Sequence, residues 1–269
     1  MPIKFGLLTN PANNILEEIK LIKKLGFDYV EIGIEPPCGA PEIILRNRQE
    51  IIALIRKFNS CPVAHTPWWI DLGSNYPQVR KAWIEEAKRS IDVSKALNID
   101  KINFHFYSLG LTRLYLKSYQ LEILNNIITS LKEVVNYATS KEITVIYENA
   151  DVKREILGIK EYKFVVDSVP KLKVHLDVGH AFVENGLKGI RDYLFTFRNK
   201  LEHIHIHDNQ GEEDEHLPLG EGKINFEQVA KWLNQINYDK TITFEVFTSK
   251  KDARNSMLKF KEYLKKDII

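Results

Sequence analysis

Eight short segments rich in β-branched and aromatic residues recur roughly every 25–40 residues along this chain, with helical patterns between them. That alternation is what a parallel sheet needs, because each crossover between parallel strands takes a helix to return the chain to the same end. Strands are predicted at Ile3–Leu8, Tyr29–Ile34, Pro62–His65, Lys101–Phe106, Thr144–Asn149, Lys171–Asp177, Glu202–His207 and Thr241–Val246. Ile15, Ile19 and Ile22 share a helical face after the first strand, with Gly26 placed to end that helix. Pro41 opens a helix buried through Ile44, Ile51, Ile52 and Ile55. Trp83, Ala87 and Ile91 form the next stripe, and Ile123, Ile127, Leu131 and Val134 the one after the fourth strand. Val229, Trp232, Leu233 and Ile236 mark the seventh helix, and Met257, Phe260 and Leu264 the last. Eight such units in 269 residues fit an α/β fold of one closed (β/α)8 barrel, a TIM barrel, better than an open doubly wound sheet. With no linker and no low-complexity stretch, residues 1–269 are expected to form one domain.

Composition narrows the class of partner. Apolar residues at 44% and charged residues at 28% are those of a globular chain, and its length suffices for a core without staples. Cys38 and Cys61 have no metal-like spacing and form no disulfide framework, so free thiols in a reducing, cytoplasmic setting are expected. The start lacks an apolar signal core, and no run approaches the ~18 apolar residues of a membrane span. A net charge of +2 neither demands nor excludes nucleic acid.

The chemistry concentrates where barrel enzymes keep it, at the carboxyl ends of the strands. His65 ends the third predicted strand, His105 the fourth, Glu148 the fifth and Asp177 the sixth, with His180 three residues on. His205 lies late on the seventh strand, Asp214 and His216 follow in its acidic, glycine-containing loop from Asp208 to Lys223, and Glu245 lies on the eighth. If these residues face the barrel axis, their neighbours must face the helices. Those neighbours are Tyr147, Leu176, Ile204, Ile206, Phe244 and Val246, all large and mostly apolar. Five histidines and four carboxylates gathered at six strand ends would be costly as unpaired core. Together they suit a divalent cation, Zn²⁺, Mn²⁺ or Fe²⁺, better than Ca²⁺, and the absence of cysteine ligands sets aside a purely structural zinc.

Other polar residues have quieter readings. His175 and His203 fall one layer below Asp177 and His205 and are expected to be hydrogen-bonded supports. His207 is placed to meet substrate rather than metal. Glu31 and Glu35 both face inward as supporting acids, or Glu35 is only exposed in the loop from Glu35 to Glu42. Lys153, Arg154 and Lys223 fall in loops near the mouth, where solvent or a substrate phosphate could meet them.

Val-His-Leu-Asp-Val-Gly-His-Ala-Phe (174–182), His-Ile-His-Asp (205–208), Asp-Glu-His-Leu-Pro-Leu-Gly-Glu-Gly (214–222) and Phe-Glu-Val (244–246) resemble the xylose-isomerase-like barrel superfamily. The resemblance spans Gly6 to about Glu245. That superfamily includes sugar and sugar-phosphate isomerases and epimerases, and also endonuclease IV, which cuts DNA at abasic sites. In the epimerase branch the resemblance implies a metal held by Glu148, Asp177, His205 and Glu245. Endonuclease IV holds three zincs with nine ligands, which fall here on those four together with His65, His105, His180, Asp214 and His216.

The departures favour sugars. His105 is followed by Phe106, Tyr107 and Ser108 instead of Pro-Gly-Ser-His, and Glu213 stands where the endonuclease carries an Arg. Gly6-Leu-Leu-Thr replaces its His-Val-Ser, while Tyr29-Val-Glu-Ile-Gly-Ile-Glu reads like the second strand of the isomerase-like group. The acidic run Glu212, Glu213, Asp214, Glu215 would repel a phosphate backbone. Trp68 and Trp69 point the other way, since they stand where the endonuclease wedges side chains into DNA; paired aromatics also wall sugar pockets. The resemblance therefore implies a metal-dependent isomerase or epimerase of a small sugar or sugar phosphate. Glu148 and Glu245 would move the proton, and His180, Trp68 and Phe182 would bind substrate. The alternative is a zinc phosphodiesterase acting on abasic DNA, the one reading with a DNA partner.

Overall fold

The computed structural model describes residues 2–110, 117–150 and 158–266, so the expected loop cations Lys153 and Arg154 lie outside the described residues. Strands β1 (Lys4–Leu8), β2 (Tyr29–Gly33), β3 (Val63–His65), β4 (Lys101–His105), β5 (Thr144–Glu148), β6 (Lys173–Asp177), β7 (Leu201–Ile206) and β8 (Thr241–Phe244) close in sequence order into an all-parallel barrel. Around them run α1 (Ile15–Lys24), α2 (Pro41–Arg46), α3 (Arg48–Ile55), α4 (Pro77–Ala96), α5 (Lys117–Ser140), α6 (Ile159–Ser168), α7 (Val178–Phe197), α8 (Phe226–Gln235) and α9 (Lys250–Lys266). The chain is a (β/α)8 barrel. No helix among the described residues is long and apolar enough to cross a membrane, and Cys38 and Cys61 are free thiols.

Strand alternation sorts the side chains as a barrel must. Tyr147, Leu176, Ile204, Ile206, Phe244 and Val246 are all buried in the layer between sheet and helices. There Tyr162 of α6 stacks on Tyr147 at 6.1 Å and donates its hydroxyl hydrogen bond to the Tyr147 carbonyl. Burying each such side chain contributes about 1.5–3 kcal/mol. The barrel interior starts with a small apolar floor of Tyr29, Val63 and Ile146. Gly6 makes room for it, since a Cβ there would lie 2.3 Å from the Tyr29 ring. Above that floor the interior turns polar.

Two local departures matter. The helix expected from Pro41 is two helices, α2 and α3, broken at Asn47. The Asn47 amide donates back to the Ile43 carbonyl at 2.9 Å, a side-chain bond that competes with helix continuation. Within α3, Ile51 and Ile55 are buried and Ile52 is only partly buried. Second, α7 starts directly after β6, with Asp177 as its N-cap accepting from the His180 N–H at 2.7 Å. It is interrupted at Asn185–Gly186, where Gly186 takes φ +58°.

Candidate metal centre

Ladder register brings the strand-end residues into one ring. His65 pairs with Asn103, His105 with Glu148, Glu148 with His175, and Asp177 with His205. Glu245 stands one residue past β8, held by its N–H to the Ile206 carbonyl at 3.0 Å. All eight histidines of the chain belong to this ring or to the layer just beneath it, an economy that random placement would not produce.

The centre is built on Glu148, which is 1% exposed. Its Oε2 lies 3.0 Å from His105 Nε2, 3.2 Å from His175 Nδ1 and 3.7 Å from His65 Nε2. Asn103 also donates to Oε2. Oε1 is thereby left towards His180 Nδ1 at 3.6 Å and His205 Nδ1 at 4.0 Å. Around that same His205 Nδ1 stand Glu245 Oε2 at 3.1 Å and Asp177 Oδ2 at 3.9 Å. Three carboxylates and one imidazole nitrogen thus converge on one point. Asp177 Oδ2 and His65 Nε2 are buried without a hydrogen-bond partner among the described residues, as atoms meant for a cation would be. The donor set of oxygens and imidazole nitrogens fits a divalent ion.

A second gathering lies nearer the mouth. His180 Nδ1 donates to the Asn149 carbonyl and His216 Nδ1 to the Glu245 carbonyl. Each Nε2 is thereby turned to Asp214 Oδ2, at 3.2 and 2.7 Å. His207, expected at a substrate contact, is fully buried among these groups instead, its Nε2 3.1 Å from Asp177 Oδ1 and 3.2 Å from Asp214 Oδ1. It stands within ligand reach of both Asp177/His180 and Asp214/His216. Gly179 permits this position: a Cβ there would lie 1.9 Å from His207 Cε1. The period-two run His203–His205–His207 carried that signal in the sequence.

The loop carrying Asp214 and His216 is held by Asp208, which is fully buried. Its carboxylate accepts from the N–H groups of Asn209, Gly220 and Ile224 at 2.8–3.1 Å, and its backbone bridges to Leu217. Lys223, near the far end of this loop, is exposed.

The layer below is a hydrogen-bonded support. His175 Nδ1 meets Asn103 Oδ1 at 2.9 Å, and His203 Nδ1 meets Thr241 Oγ1 at 2.7 Å. Glu31 faces inward with no exposed surface. It accepts from His203 Nε2 (3.1 Å), His205 Nε2 (3.2 Å) and the Thr243 hydroxyl.

Charge follows this geometry. Burial pushes the Glu148 carboxyl upward, but His105 and His175 outweigh it and hold the group well below the usual range. Glu245 is lowered in the same way, burial being overcome by His205 and His216. Burial lowers His205, yet Glu31 and Glu245 raise it well above an ordinary histidine. Burial alone dominates His203, which falls to about 4. Thus Glu148 and Glu245 are ionised bases at neutral pH.

Above the ring opens a cavity of about 810 Å³ lined by Glu148, Glu245, His180, Trp68, Tyr107 and Phe247 among others. Glu35 lines it too, half-buried beyond the end of β2, its carboxyl pushed up by burial against the pull of His65. Trp68 is 54% exposed and stands edge-on to Tyr107 at 5.0 Å. Trp69 turns instead into a separate cleft with Trp83 and Val79, so the two tryptophans do not face one ligand together. Phe182 is not among the cavity-lining residues; a full turn into α7, it packs on the core and beside Gly211. Among the described residues lining the cavity, Lys250 is the single lysine or arginine, and it is ion-paired with the nearly buried Glu18.

Residues 19–263 match the family described as the xylose isomerase-like TIM barrel. The chain belongs to that family. An uncharacterized protein of Methanocaldococcus jannaschii is 29% identical over 98% of this chain and 90% of its own length. A protein of Aquifex aeolicus named probable endonuclease 4 is 26% identical over 92% of both. Among solved structures, a D-tagatose 3-epimerase-like protein superposes with a TM-score of 0.86 at 27% identity, covering 99% of this chain and 100% of that one.

Proposed function

We propose that this chain is a divalent-metal-dependent isomerase or epimerase of a small sugar or sugar phosphate, working in the cytoplasm with Zn²⁺ or Mn²⁺. The observation that carries this reading is an open cavity with two ionised carboxylates, Glu148 and Glu245, at its floor and aromatic Trp68, Tyr107 and Phe247 in its lining. Glu212, Glu213 and Glu215, which flank the cavity-lining Asp214 in the chain, are exposed, and the one described lysine lining the cavity is neutralised. A DNA backbone needs several cations in contact, whereas a polyol needs hydrogen-bond partners and an apolar wall. The likeness to the D-tagatose 3-epimerase-like protein supports the same side.

Glu148, Asp177, His205 and Glu245, which converge around His205 Nδ1, would hold the central ion, with His65, His105, His180, Asp214 and His216 available for one or two more. When bound, such a cation polarises a carbonyl and its neighbouring hydroxyl. Glu148 and Glu245 arrive from β5 and the end of β8, so one takes the proton from the carbon beside that carbonyl while the other returns it. With the central ion alone, His180 would not ligate but would orient a substrate oxygen, its proton held because Asp177 and Asp214 beside it overcome burial and raise it well above its ordinary value. Trp68 supplies the apolar wall at the mouth.

The complete nine-residue set and the endonuclease-named relative favour a second reading, zinc-dependent cleavage of abasic DNA. Metal analysis of the purified protein, followed by parallel assays on ketose epimerisation and an abasic duplex, separates the two. Epimerisation without strand cleavage is expected. Three tightly bound zincs with cleavage of the duplex would overturn the sugar reading.

A further inference from the structure

Glu31 lies beneath the ring, outside the nine residues that match the family's ligand pattern, and the proton chemistry above leaves it unused. A fully buried carboxylate is costly unless its surroundings compensate it, so its retention calls for a physical account. The compensation is specific: His203, His205 and Thr243 all donate to it. Thr243 is in turn hydrogen-bonded to the Tyr29 hydroxyl at 2.7 Å, and His203 is anchored through Nδ1 on Thr241. Glu31 is therefore fixed from β2, β7 and β8 at once.

His205 has two ring nitrogens, and each lies at hydrogen-bond distance from a carboxylate, but three separate carboxylates gather on the Nδ1 side and one on the Nε2 side. Nε2 lies 3.2 Å from both oxygens of Glu31. Nδ1 faces Glu245 at 3.1 Å, Asp177 at 3.9 Å and Glu148 at 4.0 Å. His180 and His216, by contrast, are oriented by neutral backbone carbonyls. An imidazole that donates one N–H to a carboxylate presents the other nitrogen as a lone pair of raised basicity.

We propose that Glu31 is a positioning residue that holds the proton of His205 on Nε2 and so makes Nδ1 the atom offered to a divalent cation. The proposal rests on the metal reading above and adds which nitrogen is used and what enforces it. Glu31 itself touches neither cation nor substrate.

Zn²⁺ alone is the probe. Its affinity for the full-length wild-type protein and for Glu31→Gln is measured by competition with a chromophoric chelator. The His205 tautomer of the zinc-loaded protein is read by long-range ¹H–¹⁵N correlation spectroscopy. The expected result is Nε2–H on wild-type His205, with affinity lowered about 10–100-fold in Glu31→Gln and the tautomer preference relaxed. If Glu31→Gln does not fold, the wild-type spectrum still decides. A proton on Nδ1 would make Nε2 the donor atom and bring Glu31 into the ligand set, which overturns the proposal. Unchanged zinc affinity in a folded Glu31→Gln overturns it as well, while leaving the metal reading intact. Failure of wild-type protein to bind zinc overturns both.

Discussion

At the scale of single residues, the site is a matter of which atom faces which. Glu148 is placed to act because Asn103 and His105 occupy Oε2 and leave Oε1 towards the centre. Glu148→Gln should lower kcat on a confirmed sugar substrate about 10²–10⁴-fold at saturating metal; an unchanged kcat removes Glu148 from proton transfer. Gly179→Ala would press a methyl into the His207 ring, since the position is 1.9 Å from Cε1. Overpacking of this kind should cost about 1–3 kcal/mol in urea unfolding, and an unshifted midpoint would show that His207 has room to move. The ring was legible in the sequence because Glu148, Asp177, His205 and Glu245 alternate with large apolar neighbours that the helices bury. Phe182 is outside the cavity lining for a local reason: helix α7 follows Asp177 with no intervening loop, so residue 182 already lies within a helix and packs on the core. The inward direction of His207 follows from the period-two run of histidines, whereas the room for its ring depends on a missing Cβ in another element.

Elements impose their own constraints. Apolar periodicity predicted every strand and each helix it described, since burial on one face is what generates the pattern. It overran the break at Asn47, because a single amide-to-carbonyl bond leaves no trace in hydrophobicity. The connection between β7 and α8 owes its shape to Asp208, whose carboxylate takes three backbone N–H groups. Asp208→Ala strands those donors at a cost of about 1–3 kcal/mol each if they stay buried. The expected outcome is a lower unfolding midpoint and new cleavage between residues 209 and 221 in limited proteolysis read by mass spectrometry. Wild-type cleavage kinetics would show that the loop is held by other means.

For the molecule as a whole, a polar layer inside a closed barrel makes stability depend on pH. His203 is fully buried, and burial holds it neutral down to about pH 4. An unfolded histidine takes its proton near 6.5. Its folded value is depressed, so its contribution is present above about 6.5 and is lost as pH falls towards 4. The full effect is about 3 kcal/mol. Urea midpoints of wild-type protein held in EDTA should therefore drop between pH 7 and pH 5 by more than those of His203→Gln; equal drops would place the acid sensitivity elsewhere. The barrel also separates two kinds of dependence. Glu148, Asp177 and His205 are set by ladder register, which cannot shift without unzipping a sheet that has no free edge. Asp214 and His216 hang from one acid-pinned loop. The inner half of the site is thus tied to the closure of the barrel, while the outer half depends on a single connection, so changes confined to that connection would alter the mouth of the site and leave the barrel intact.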